Sequence, residues 1–286
     1  MNVTIPDYGS KLLLRKNAAE VSDWAYEMYQ FNKLHRLGYR GQGEVIAILD
    51  TGWNNQHPDL IDETQGKDKY KEGDTILHIE DFTGGDAIDR NFHSTWIHGA
   101  LGATHNGFGV KGRCPEAKFI IMKILGDNGG GDILHTAKAI RKSVDIGATQ
   151  INLSIGLGSD VKELRAACDY AYAKGVWVHG AAGNDGGNPV DYPAKYESVL
   201  SWGSHDKNKK RSQFSDIGDV LDLYNAGEDV LSCFGYSDYA LNSGTSMATP
   251  NGLALIACLK KPIEVKLGRS MTYSDSYLIS QDINEL

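Results

Sequence analysis

Five short apolar runs restrict what this chain can fold into. Val45–Leu49, Phe119–Leu125, Ile151–Ile155, Val176–Ala181 and Ser198–Trp202 are each of strand length. Val45–Leu49 and Phe119–Leu125 are nearly free of polar residues, as a strand covered on both faces requires. Helical patterns stand between them. From Asp132 to Val144, Ile133, Leu134, Ala137, Ile140 and Val144 share one helical face, and Asp132 is placed to cap its start. Val161 to Lys174 reads as a second helix closed by Gly175. Buried strands alternating with helices predict an α/β fold: a doubly wound, mainly parallel sheet with helices on both faces. Side chains that do chemistry in such folds gather beyond the carboxyl ends of strands, where Asp50 and Asn184 fall.

The rest of the chain divides around this core. Residues 1–38 form an N-terminal extension, residues 39–262 the main domain and residues 263–286 a tail. Within the extension, Val21, Trp24, Ala25, Met28, Phe31 and Leu34 recur at helical spacing, which predicts one packing helix over Asn17 to Leu37. Ile61 to Asn91 is charged and irregular and reads as an elaborated surface loop. The tail loses periodicity, and a surface strand, a homodimer contact and disorder are all open for it. A net charge of -8, with no long basic run, argues against a nucleic-acid partner. No apolar stretch approaches the ~20 residues needed to span a membrane, and the first residues carry no signal-like apolar core. Cys114, Cys168, Cys233 and Cys258 are scattered without C-x-x-C spacing, so free thiols are the simplest reading. Together these features lead us to expect a cytoplasmic protein.

Three stretches carry chemistry. Asn242 to Pro250 is rich in small residues and precedes a Leu/Ala-rich run, Leu253 to Leu259, which places Ser246 at a helix N-terminus with Pro250 in the first turn. Alone, such a serine reads as a turn residue or cap. Gly244 to Pro250, however, matches G-T-S-M-A-x-P throughout, and Val45 to Gly52 followed by His57-Pro58-Asp59-Leu60 supplies an acid motif. His93 to Ala100 is similar to H-G-T-H-V-A-G: His93, Thr95 and Gly99 match, while Ser94, Trp96 and His98 depart. These motifs, in the order Asp, His, Ser over roughly residues 40–260, resemble the subtilisin-like serine proteases, and the intracellular branch in particular. The resemblance implies a serine endopeptidase acting on polypeptides through an acyl-enzyme, with Ser246 as nucleophile, His93 as base and Asp50 as its acid partner. Asn184, in Ala181-Ala182-Gly183-Asn184, takes the place of the oxyanion donor. No organic cofactor is implied. His98 and His105 read as structural.

The resemblance implies four further features. Gly129-Gly130-Gly131 and Ser154-Ile155-Gly156 are the edges that would pair with an extended substrate. Asp191, just before Tyr192-Pro193, would reach the floor of the P1 pocket, with Asp185 near its mouth, giving a preference for basic P1 residues. Equally, Asp191 could turn outward as a loop cap. Asp59, Asn106 and the carbonyls of Thr104, Phe108 and Val110 align with a structural Ca²⁺ site, the alternative being a solvated loop. The family's N-terminal ligand to that site has no evident counterpart. Finally, Ile5-Pro6-Asp7-Tyr8 resembles an element that lies across the active site in intracellular members and suggests autoinhibition; a frayed terminus is the competing reading.

Other classes stay in view. A catalytically silent binding protein on the same fold would explain the altered surroundings of His93. An esterase or amidase could use the same triad, though no G-x-S-x-G elbow is present. A dinucleotide site is excluded because Gly41-Gln42-Gly43 precedes its strand instead of following it. The single Asp50-Thr51-Gly52 cannot supply the two carboxylates of an aspartic protease.

Overall fold

A computed structural model describes residues 2–4, 11–14, 19–60 and 75–259. In chain order the elements are β1 (Asn2–Thr4), β2 (Lys11–Leu14), α1 (Trp24–Met28), α2 (Phe31–Arg36), β3 (Val45–Asp50), β4 (Ile76–Asp81), α3 (His93–Gly102), β5 (Lys118–Lys123), β6 (Gly130–Asp132), α4 (Ile133–Ile146), β7 (Gln150–Leu153), α5 (Lys162–Ala173), β8 (Trp177–Ala181), β9 (Leu200–His205), β10 (Leu223–Ala226), β11 (Val230–Phe234), β12 (Asp238–Asn242) and α6 (Thr245–Leu259). Seven strands form one sheet in the order β10-β9-β8-β7-β3-β5-β4, with every pairing parallel. The chain leaves β3 towards β5 on one side and returns to β7 on the other, so β3 is the topological switch point and Asp50 stands at its carboxyl end.

Each face of the sheet is covered. On one side α3 and α6 pack with α1 and α2 around Ile46, Ile48, Trp96, Trp202 and Leu253. On the other α4 and α5 pack together over Ala47, Leu49, Ile120, Ile151 and Val178. Alternate residues of β3 thus belong to different cores, which is why its sequence is apolar throughout. The start of α4 is as the sequence predicts, Asp132 accepting from the Leu134 N–H; the helix runs past Val144 to Ile146, where Gly147 closes it in the left-handed region.

Two expectations need correction. The lead-in helix is not continuous: α1 and α2 are separated at Gln30, whose φ is 54°. The bend seats two faces at once, Tyr29 reaching His205 while Phe31 and Leu34 enter the core. The stretch read as a surface loop contains β4, the edge strand beside β5. Its pattern was masked because only Ile76 is fully buried and the neighbouring side chains are half-exposed. Residues 61–74 and the tail 263–286 lie outside the described residues.

A buried polar cluster fastens the switch point. Asp89 is fully buried and accepts five hydrogen bonds: from Thr51 Oγ1 and the Asn91 and Phe92 N–H groups on Oδ1, and from the Thr95 N–H and Oγ1 on Oδ2. It therefore caps α3 from outside the helix, where Phe92 has no side chain able to do so. Lys123, also buried, donates to the carbonyls of Thr51 and Ile88 and to Asp127. Burial pushes the Asp89 carboxyl up, and the donors around it pull it back. An Asp89→Asn substitution keeps the shape but turns an amide N–H towards N–H and O–H donors. We expect a loss of about 3 kcal/mol, seen as a melting temperature lower by about 5–10 °C. An unchanged melting curve would show that the cluster does not hold this corner together.

Candidate active site

Asp50 ends β3 fully buried, and the Thr51 N–H donates to its Oδ1 at 2.7 Å. His93 is the first residue of α3, and its Nδ1 lies 2.8 Å from Asp50 Oδ1 and 3.0 Å from Oδ2. A carboxylate can only accept, so Nδ1 carries the proton and Nε2 holds the lone pair. Nε2 is buried and has no partner. An imidazole oriented in this way is prepared to take a proton from a neighbouring group.

Ser246 is the second residue of α6 and 4% exposed. Its hydroxyl donates to the Ser154 carbonyl at 3.2 Å, so in this structure it is not paired with His93. The exchange is reciprocal: Ser154 Oγ donates to the Ser246 carbonyl at 2.9 Å. The reason lies in the helix. Pro250 stands in its second turn, one turn later than the sequence suggests, and lacks the N–H that would close the bond from residue 250 to residue 246. The orphaned Ser246 carbonyl is satisfied from the Ser154 edge instead.

Asn184 follows β8 and is 7% exposed. Its Oδ1 accepts from the Thr245 N–H at 2.8 Å and from Thr245 Oγ1 at 3.0 Å. With the oxygen held by the residue before Ser246, the amide nitrogen is the end left to act as a donor at the start of α6. It lies 3.8 Å from where a Cβ on Gly244 would stand.

The two expected substrate edges differ in their state. Gly129 precedes β6, and Gly130 and Gly131 lie in it, where they pair with the chain's own N-terminus: Asn2 with Asp132, Val3 with Gly131 and Thr4 with Gly130, antiparallel. β2 then pairs antiparallel with β12, the strand that leads into Asn242 and the turn before Ser246. Ile5-Pro6-Asp7-Tyr8, between these two pairings, lies outside the described residues. Ser154-Ile155-Gly156 continues from β7 and faces Asp191, for a Cβ on Gly156 would meet Asp191 Oδ2 at 2.5 Å. Asp191 is therefore turned inward, half-buried, and its carboxyl is pushed up to about 6, first by burial and then by Asp216 and Asp185. Asp185 itself is exposed.

Asp59 is fully buried and accepts from Asn106 Nδ2 at 3.0 Å and from the Val110 N–H at 2.9 Å. The Thr104 N–H binds its carbonyl, and the Phe108 N–H donates to Asn106 Oδ1, so these residues form one loop wrapped around one carboxylate. Burial pushes Asp59 up to about 6. Glu20, which the sequence did not single out, accepts from the N–H groups of Asn106 and Gly107 and lies against the same loop. The donor set fits a hard cation in kind, being all oxygen with two carboxylates, once the Asn106 amide turns its oxygen towards Asp59. Among the described residues there is no cluster of three or more His, Cys, Asp or Glu side chains able to hold a metal.

His98 and His105 are held in structural positions. His98 is buried between Trp53 and Phe119, and burial pushes it down to about 3; His105 binds the Gly112 carbonyl. All four cysteines are buried and free. Among the described residues no helix is long and apolar enough to cross a membrane.

Comparison with known proteins agrees with this geometry. A model of the subtilase family matches residues 41–268. Subtilisin Savinase of Lederbergia lenta is 33% identical over 243 residues, covering 85% of this chain and 86% of its own length. The major intracellular serine protease of Bacillus subtilis is 34% identical over 249 residues, covering 84% and 75% respectively. The minor extracellular protease Epr of the same species is 34% identical over 244 residues, covering 83% of this chain but only 35% of Epr. The chain belongs to the subtilase family of serine endopeptidases.

Proposed function

We propose that the chain hydrolyses peptide bonds through a covalent acyl-enzyme, with Ser246, His93 and Asp50 as its triad. The observation that carries this reading is the His93–Asp50 pair, 2.8 Å long, with a buried and unpartnered Nε2 on the far side of the ring. Rotation of the Ser246 side chain about χ1 releases the Ser154 carbonyl and brings Oγ to Nε2. Oγ then attacks the peptide carbon as Nε2 takes its proton, and Asp50 stabilises the imidazolium. The oxyanion accepts from Asn184 Nδ2 and the Ser246 N–H, at the positive end of α6. The C–N bond breaks as His93 returns the proton to the leaving amine, and water repeats the sequence on the ester. No observation favours the silent-protein or esterase alternatives.

Substrate main chain would lie between Gly129–Gly131 and Ser154–Gly156, with the P1 side chain reaching Asp191. The inward turn of that carboxylate supports a preference for basic P1 residues. The N-terminal segment would regulate the site. β1 occupies backbone groups of β6 that a substrate strand would use, and β-augmentation by a tethered segment has the advantage of a high effective concentration. Asp59, Glu20, Asn106 and the carbonyls of Thr104, Phe108 and Val110 would hold Ca²⁺, whose charge offsets the cost of burying Asp59.

Three outcomes test these readings. Wild-type protein should react with a fluorophosphonate at Ser246, and Ser246→Ala should lose both the label and peptide turnover by about a thousandfold or more. Labelling elsewhere, or turnover that survives the substitution, would remove Ser246 from the mechanism. A variant beginning at Lys16 should show an initial rate about tenfold above that of the full chain, and equal rates would end the autoinhibition reading. EDTA should lower the melting temperature, since a ligand bound only to the folded state raises it. A curve unmoved by EDTA would mean that the Asp59 loop holds no ion.

A further inference from the structure

Asp216, in the loop between β9 and β10, is 1% exposed. Its Oδ1 is occupied, accepting from the Asp185 N–H at 3.1 Å and the Gly187 N–H at 3.4 Å. Its Oδ2 is buried and has no partner. Backbone donors on one oxygen fix where the other points. A Cβ added to Gly183 would stand 2.3 Å from Asp216 Oδ2 and 3.1 Å from Asp191 Oδ2, so both oxygens converge on one point. Asp191 Oδ2 also lies 2.5 Å from the Cβ position of Gly156. Gly183 and Gly156 belong to the two backbone segments that would flank a P1 side chain. The slot between them is thus lined by two carboxylate oxygens and by two residues with no side chain.

Among the described residues neither Asp191 nor Asp216 forms an ion pair, and Asp185 adds a third negative charge. Among the described residues Lys195 acts on Asp191 as a basic group, and its ammonium lies over the Tyr192 ring at 5.4 Å. Buried carboxylates left in this state are costly, and an entering cation offsets that cost.

We propose that Asp216 is a second specificity-determining carboxylate of the P1 pocket, and that Asp191 and Asp216 together select arginine over lysine. The inference rests on the assignment of Asp191 to that pocket. A guanidinium is planar, carries five N–H donors and can serve two separate oxygens at once. An ammonium is a point charge that a single aspartate suits as well. Asp191 alone would accept either base; the second oxygen, aimed at the same point, favours the forked one. The carboxyls are also pushed up, Asp191 to about 6, as burial and mutual repulsion require.

The test is kcat/KM for the full chain on matched peptides with Arg, Lys or Phe at P1, normalised to Ser246 sites titrated by fluorophosphonate. The wild type should prefer Arg over Lys by about 10- to 100-fold. Asp216→Asn keeps the Oδ1 acceptor and its backbone partners, and should bring the Arg:Lys ratio near one while both bases still exceed Phe. Asp191→Asn should lower both bases against Phe. If Lys equals Arg in the wild type, or if Asp216→Asn leaves the ratio in place, Asp216 plays no part and the Asp191 assignment stands. If Phe wins in the wild type, the Asp191 assignment falls and takes this proposal with it. Should Asp216→Asn yield no titratable sites, the wild-type Arg:Lys ratio alone decides.

Discussion

The constraint on which the rest of this structure depends is that charge must be buried at the carboxyl end of β3. A parallel sheet covered on both faces leaves little water there, yet Asp50, Asp89 and Lys123 all end in that corner. An unpaired charge in such a place costs several kcal/mol, so each must be saturated. Asp50 is met by the Thr51 N–H and the His93 ring. Asp89 takes five donors, and Lys123 serves two carbonyls and a carboxylate. Saturation of the cluster is what fixes the geometry of the site. Thr51 donates to Asp89 and accepts from the Ser94 N–H, and Asp89 caps α3, so the end of β3 and the start of the His93 helix cannot move independently.

A second fastening draws the other half of the site to the first. Proline inside a helix usually costs about 3 kcal/mol through a missing donor and a clash. Here the missing donor has a use, because the freed Ser246 carbonyl receives Ser154 Oγ and the start of α6 is held against the edge that follows β7. The Asn184 amide, gripped through its oxygen by Thr245, is positioned by the same helix start. Ser246, Asn184 and the Ser154 edge are therefore tied to one another at the start of α6, whereas His93 arrives from the α3 side.

Much of this was legible in the sequence, for physical reasons that also explain what was not. Strands buried on both faces are mostly apolar, so β3, β5 and β8 announce themselves, and β7, though it carries Gln150 and Asn152, keeps its apolar residues at strand spacing; β4, with one buried residue at a sheet edge, does not. Asp132 is a local signal and marks the start of α4, while the break at Gln30 is set by tertiary packing, Tyr29 reaching His205 as Phe31 enters the same core, and leaves no local mark. The motif residues of the site stand in short conserved-looking strings that can be matched one by one. Asp89, Glu20 and Asp216 act through partners distant in sequence, and each looks like an ordinary loop carboxylate until burial and hydrogen bonding are known. The expectation for Pro250 erred by a turn because the helix begins at Thr245, before the apolar run that signals it.

The proposed substrate edge is joined to the N-terminus. β6 is three residues long and two of them are glycine, and a Cβ on Gly131 would meet the Ile124 carbonyl at 2.3 Å. An edge so bare offers an incoming strand only backbone donors and acceptors, and reads almost nothing of its side chains. It also leaves an unpaired edge open to any extended segment nearby. In this chain the nearest such segment is its own beginning, and Asn2 to Thr4 take the edge in antiparallel register. In the proposed reading, discrimination comes from a pocket where burial makes a charge matter, not from the edge. Asp191 and Asp216, placed where Gly156 and Gly183 leave room, are the groups positioned to supply it.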